Sequence, residues 1–302
     1  MPANDSLTIL GPTASGKTAL GVALARMLDG EIISADSRQV YRGLDIGTGK
    51  DLHEYELGGP PVPYHLIDIA DPGSEYNVFQ YQRDFFAAVE AIKGRGKLPI
   101  LVGGSGLYLE AALSRTMMVP VPPNPALRAA MAPLSTEVLQ ERLLALKPDQ
   151  HNTTDLLDRD RILRAIEIAV YLETAVPEPA PPLSPLILGV QWDRKILRQR
   201  VAARLKARLE EGLIEEVEDL VAAGCSWARL EELGLEYRHV SRFLRGKTKN
   251  RNDLYQQLSG EISRFAKRQE TWFRRMEKNG AAIHWVPEGR LEAALAVIRA
   301  AG

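Results

Sequence analysis

Gly11-Pro12-Thr13-Ala14-Ser15-Gly16-Lys17-Thr18 follows a short apolar run, Leu7 to Leu10, and opens a stretch to Leu28 in which apolar residues recur at helical spacing. That is the phosphate-loop pattern in its proper context, after a strand and at a helix start. Glycines let backbone N–H groups turn inward on an anion, and the helix N-terminus adds partial positive charge. Lys17 is placed to reach the outer phosphates, and the Thr18 hydroxyl to ligate Mg²⁺. A nucleoside triphosphatase is the default reading of such a loop. Against it, the strand pattern 98–102 ends in Gly103-Gly104-Ser105-Gly106 instead of the acidic residue that usually holds magnesium, and no Asn-Lys-x-Asp guanine reader occurs. Asp36 closes a second apolar run and is followed by Ser37-Arg38-Gln39. There it could act as a general base on an incoming acceptor, or merely cap a following helix.

These residues need a scaffold that gathers loops at one edge. The runs EIISAD (31–36), PYHLIDI (63–69), LPILVGG (98–104) and LILGVQW (186–192) have the composition of buried strands, and helical patterns lie between them. The alternation predicts an α/β fold: a P-loop NTPase-like parallel sheet flanked by helices, binding its ligands at the carboxyl ends of the strands. Pro-rich VPVPPNP (119–125) and PEPAPPLSP (177–185) interrupt the rhythm, with helical patterns from Ala126 to Glu173 between them. The expected division is a first catalytic part at 1–118, a helical insertion at 119–184, and a rejoining strand with a helical C-terminal part at 185–302. Long amphipathic helices are expected over 195–211, 214–223 and 253–278.

The formal net charge of −1 conceals an imbalance: residues 190–302 carry 22 Lys/Arg against 16 Asp/Glu, and residues 238–278 carry 12 against 4. A local basic face suggests a polyanionic partner, although a solvated helix surface would have the same composition. The lone Cys225 excludes an internal disulfide, the five histidines lack metal-ligand spacing, and no apolar run suits a membrane helix or a signal peptide. A cytoplasmic setting without zinc is expected.

Together GPTASGKT, ADSRQVYRGLDIGTGK, HLIDI, PILVGGSGLY, RDRILRAIE and FAKRQETWFRRM resemble, in order and spacing, the tRNA dimethylallyltransferase family, over nearly the whole chain from Leu7 to about Val286. The resemblance implies that the loop holds the diphosphate of dimethylallyl diphosphate with Mg²⁺. It also implies that N6 of adenosine 37, beside the anticodon, attacks the allylic carbon while Asp36 takes its proton. Ser105 stands where the family usually has threonine and would bond the oxygen joining diphosphate to isoprenoid; a small turn residue is the plainer alternative. Gly49 and Asp51 replace the usual Ala and Pro of Asp-Ile-Gly-Thr-Ala-Lys-Pro, Lys50 being kept. Gly234-Leu235-Glu236-Tyr237-Arg238 replaces the usual Ile-Gly-Tyr-Arg.

A stacked adenosine must be turned out to reach such a site, and Arg and aromatic side chains reward that exposure. By resemblance the tRNA contacts are Asp36, Ser37, Arg38 and Gln39 at the extruded base. Further contacts are Arg128, Asp160, Arg161, Ile162, Leu163 and Arg164 in the insertion, and Tyr237, Arg238, Lys267, Arg268, Gln269, Thr271, Trp272 and Arg274 beyond it. Trp272 and Phe273 could equally be core, as aromatics at helical spacing usually are. Arg194, Arg200 and Arg204 could be phosphate ligands or a solvated face. A monomer is expected. Two other readings stay open: an adenylate isopentenyltransferase acting on free nucleotide, which would need neither insertion nor basic helix, and a small-molecule kinase or ATP-driven RNA-binding switch.

Overall fold

The computed structural model describes residues 4–148 and 158–302. Among these, six strands form one all-parallel sheet in the order β3-β2-β4-β1-β5-β6. They are β1 (Ser6–Leu10), β2 (Gly30–Ala35), β3 (Tyr64–His65), β4 (Leu98–Gly103), β5 (Pro185–Gln191) and β6 (Ile283–Pro287). The central strands are buried on both faces, which explains their unbroken apolar runs. Helices α1 (Lys17–Leu28), α2 (Val78–Gly94) and α12 (Leu291–Ala301) cover the sheet, with Leu20, Leu24, Ile32, Ile100, Leu188 and Val286 in one apolar cluster. This is the P-loop-like α/β architecture that the alternation predicts.

Helix α2 starts where Asn77 and Gln80 form a reciprocal capping box, satisfying donors that the first turn leaves free. Helix α7 (Arg194–Glu211) starts at Asp193, whose carboxylate accepts from the Lys195 and Ile196 amides, and ends at Gly212 with φ 110°. Helices α3 (Gly106–Ala112), α8 (Leu213–Ala222), α9 (Trp227–Glu232), α10 (Leu235–Leu244) and the 28-residue α11 (Arg251–Lys278) complete this part of the chain.

Two compact units are separable, 1–114 with 181–302 and 115–180. The second contains α4 (Pro125–Met131), α5 (Thr136–Leu146) and α6 (Arg159–Leu172) around a core of Met131, Leu139, Leu143, Ile162, Leu163 and Ile166. Its two ends are joined by an antiparallel bridge between Thr116 and Pro179, with Met117 N–H donating to Glu178 C=O at 2.8 Å and Ala180 N–H to Arg115 C=O at 2.9 Å.

One expected strand is largely absent. Of 63–69 only Tyr64–His65 pairs with β2, because Leu66 (φ 62°) and Asp68 (φ 56°) turn the backbone out of the extended region. The turn brings the Asp68 carboxylate to the buried ammonium of Lys50, which also bonds Asp45 at 2.6 Å and the Tyr41 carbonyl at 2.8 Å.

Candidate active site

Loops following β1, β2 and β4 meet at the carboxyl edge of the sheet. Residues 11–16 join β1 to α1, with Ala14 at φ 62° and Gly16 at φ 85° bending the backbone as an anion-binding nest requires. Two distant helices hold this loop in shape. From α7, Arg200 Nε donates to the Ala14 carbonyl at 2.8 Å and Arg204 bonds the Thr13 hydroxyl. From α11, the Gln269 carboxamide receives the Thr13 N–H at 2.8 Å and donates to the Gly104 carbonyl at 2.8 Å. Trp192 donates to Ser15 C=O at 2.8 Å and carries the Arg200 guanidinium 4.2 Å above its ring.

The charges of this edge are matched to an anion. Lys17 Nζ lies 3.5 Å from the Pro12 carbonyl. Burial, and next the Arg204 guanidinium, push its ammonium down to about 8, with Arg208 adding to the effect. Arg204 is itself pushed down to about 10 by burial and by Arg208. Cations that depress one another in this way gain most from a polyanion placed among them. The Thr18 hydroxyl has no hydrogen-bond partner among the described residues and stands at the start of α1. No cluster of three or more His, Cys, Asp or Glu that could hold a metal occurs among those residues. The residues present would suit Mg²⁺ as a hard cation brought in on phosphate oxygens, the Thr18 hydroxyl being the side-chain oxygen available to meet it.

Asp36 leaves the end of β2 half-buried, its carboxylate accepting the Arg38 N–H at 2.9 Å. It closes a local turn and caps no helix, since turns follow it. Ser105 lies alongside: its N–H donates to Ala35 C=O at 3.1 Å and its Oγ accepts the Ser37 N–H at 3.0 Å. The Ser105 proton has only the Ser37 hydroxyl, 3.4 Å away, and can be redirected to a ligand. Gln39 is oriented by Ser34 at 3.0 Å and by the Gly49 carbonyl at 2.9 Å.

Sequence membership in a motif and side-chain direction differ at several expected contacts. Tyr237 is 1% exposed and donates to Glu216 at 2.7 Å; that carboxylate also accepts the amides of Asp45, Ile46 and Gly47 at 2.9, 2.6 and 3.0 Å. Tyr237 thus braces the loop after β2 from within. Ile162 and Leu163 are core of the 115–180 unit, and Phe273 is core of α11. Arg128 makes a two-bond fork with the buried Glu167 at 2.7 and 3.0 Å, and Arg164 joins it at 3.2 Å. Arg128 above all pulls the Glu167 carboxyl down to about 2. Asp160 and Arg161 are exposed, Arg161 lying 3.7 Å from Asp158. Arg238 donates to Glu231 C=O at 2.9 Å. On α11, Lys267, Arg268, Thr271 and Arg274 share an exposed face. Trp272 is half-buried under Arg275, 4.0 Å from the ring, and its indole N–H has no partner. Arg194 is exposed at the start of α7. Arg208 and Glu216 lie among charges in α7 and α8 that follow helical spacing, and no motif singles them out.

The IPP transferase family model matches residues 39–276, and the isopentenyl transferase model residues 5–62. A tRNA dimethylallyltransferase 1 from Geotalea uraniireducens is 58% identical over 280 residues, covering 93% of this chain and 91% of its own. A tRNA dimethylallyltransferase 2 from Syntrophotalea carbinolica is 60% identical over 283 residues, 93% of each chain. Among solved structures, the full-length tRNA isopentenylpyrophosphate transferase of Bacillus halodurans superposes with TM-score 0.70 at 30% identity, covering 98% of both chains. A eukaryotic dimethylallyltransferase acting on tRNA shares the fold, with TM-score 0.75 at 23% identity over 96% of this chain and 75% of that one. A phosphate loop set against Asp36 and Ser105, with relatives that match from end to end, leads to one conclusion: the chain belongs to the IPP transferase family.

Proposed function

We infer that this enzyme is a prenyl transferase moving the dimethylallyl group of dimethylallyl diphosphate to N6 of adenosine 37 in tRNA. The observation that carries the reading is the convergence of a cationic diphosphate loop with a carboxylate and a weakly engaged hydroxyl proton on neighbouring strand ends. The N6–carbon bond forms as the carbon–oxygen bond breaks; the electron pair leaves with diphosphate, and the N6 proton goes to Asp36. Lys17, Arg204 and the loop amides stabilise the charge that grows on the leaving group, as preorganised donors do in a water-poor site. Ser105 orients the bridging oxygen, and Gln39 and Arg38 stand beside the carboxylate to meet the turned-out base. Thr18 would hold Mg²⁺ beside the diphosphate, where the ion would supply further charge neutralisation. The exposed row Lys267, Arg268, Thr271, Arg274 offers phosphate contacts along the anticodon stem-loop. From the insertion Arg161 and Arg128 offer phosphate contacts, and the exposed Asp160 carboxylate an acceptor for a ribose hydroxyl or base amine. A monomer in the cytoplasm, where unmodified tRNA is available, completes the reading. Incubation with dimethylallyl diphosphate, Mg²⁺ and either unmodified tRNA or AMP, followed by mass analysis, tests it. TRNA gains the prenyl mass; prenylated AMP beside untouched tRNA would overturn the acceptor assignment in favour of the adenylate enzyme.

A further inference from the structure

Gly49 and Asp51, the two positions at which the loop after β2 departs from the family's usual Ala and Pro, border the guanidinium of Arg208. A Cβ at residue 49 would sit 1.5 Å from Arg208 Nη2 and 2.6 Å from its Cζ, and Gly49 has φ +62°. Alanine there and the guanidinium in its present place are mutually exclusive. Arg208 is 5% exposed, yet its Nε and Nη2 have no hydrogen-bond partner; the Asp51 carboxylate stands 3.8 Å off, beyond hydrogen-bond reach. On α7, Arg200, Arg204 and Arg208 recur every four residues on one face, and the first two bond the phosphate loop directly. Arg208 continues that row, and its charge is felt at both Lys17 and Arg204.

A buried guanidinium with two nitrogens that no acceptor reaches is costly, and Arg208 adds a third cation to Lys17 and Arg204, a charge that the Asp51, Asp36 and Glu236 carboxylates offset only in part. An anion among them reverses the sign of both terms. We propose that Arg208 is an additional ligand of the diphosphate, so that this chain grips the leaving group with three side-chain cations, and that Gly49 is the space that admits it. The proposal rests on the prenyl-transfer reading and concerns the same site.

Magnesium pyrophosphate is titrated calorimetrically into wild type, Arg208→Met and Asp51→Asn, with thermal unfolding of each protein measured with and without it. Arg208→Met, similar in length and uncharged, binds at least tenfold more weakly and loses most of the pyrophosphate-induced rise in Tm, while its ligand-free Tm equals or exceeds that of wild type. Asp51→Asn removes the competing carboxylate and keeps the guanidinium, so its affinity rises several-fold. Undiminished affinity in Arg208→Met overturns the proposal. Unchanged or weaker affinity in Asp51→Asn does so too, even if Arg208→Met fails to fold, because Arg208 would then be a partner of Asp51 alone. Wild type that bound no pyrophosphate would instead sink the prenyl-transfer reading.

Discussion

Replacing Gln269 by leucine isolates the tie between α11 and the phosphate loop. The side chain is 8% exposed and makes two bonds of 2.8 Å, receiving the Thr13 N–H and donating to the Gly104 carbonyl. Leucine fills nearly the same space, so the loss is polar: one amide N–H and one carbonyl are left without partners. Each such group costs about 1–3 kcal/mol when buried, and Thr13, which is half-exposed, falls at the lower end. The sum is about 2–4 kcal/mol, or a fall in Tm of roughly 3–6 °C for a chain of this length. The same bonds set the path of the loop around the diphosphate and hold Gly104 next to Ser105. KM for dimethylallyl diphosphate is therefore expected to rise about tenfold or more, one lost restraint of about 1.4 kcal/mol being a factor of ten. Thermal unfolding and steady-state kinetics at saturating tRNA check both parts, and affinity for tRNA itself should change little because Gln269 faces inward. A Gln269→Leu protein with wild-type Tm and wild-type KM for the donor would refute the argument.

Asp36→Ala should retain tRNA binding and lose most turnover, seen as a collapse of single-turnover rate at unchanged Kd; unaltered turnover would remove Asp36 from its role. Arg274→Ala should weaken tRNA binding and lower the slope of log K against log salt by about one, the signature of a lost phosphate contact, measured by filter binding at several salt concentrations. Lys17 has a pKa near 8 in the free protein against 10.5 for an unperturbed lysine. A bound diphosphate favours its ammonium form, so the Lys17 contribution to pyrophosphate affinity is constant below pH 8 and falls above it, by up to tenfold per pH unit. Calorimetry in buffers of different ionisation enthalpy should register proton uptake on binding within that window. Without ligand the sign is opposite: the unfolded chain holds the extra proton between pH 8 and 10.5, so this group makes folding stability rise with pH there.

What was legible in the sequence was local. Strand β1, the loop and α1 are contiguous, and each signals its structure within a few residues; Asp36 and Ser105 are legible because they end apolar runs. The charges that complete the site come from afar. Arg204 sits 191 residues from the Thr13 hydroxyl it bonds, and Gln269 sits 256 residues from its partner amide. Which face of α7 or α11 turns inward is decided by packing, as the burial of Leu197, Val201, Leu205 and Arg208 on one side of α7 illustrates. Motif resemblance likewise marked Tyr237, Ile162 and Leu163 without revealing that they point away from solvent, because a segment can touch RNA through its exposed members while its apolar members hold it in place. Strand β6 escaped notice because Ile283–Pro287 is short, carries a histidine and a tryptophan, and gains its place only by pairing with β5.

The paired backbones at Arg115–Met117 and Glu178–Ala180 make a neck through which the chain enters and leaves the inserted unit side by side. A cassette mounted on such a neck can be excised by splicing residue 114 to residue 181 through a short turn, leaving every strand pair of the sheet in its register. Diversification within this lineage can thus enlarge, trim or exchange the accessory piece while the machinery at the sheet edge stays as it is.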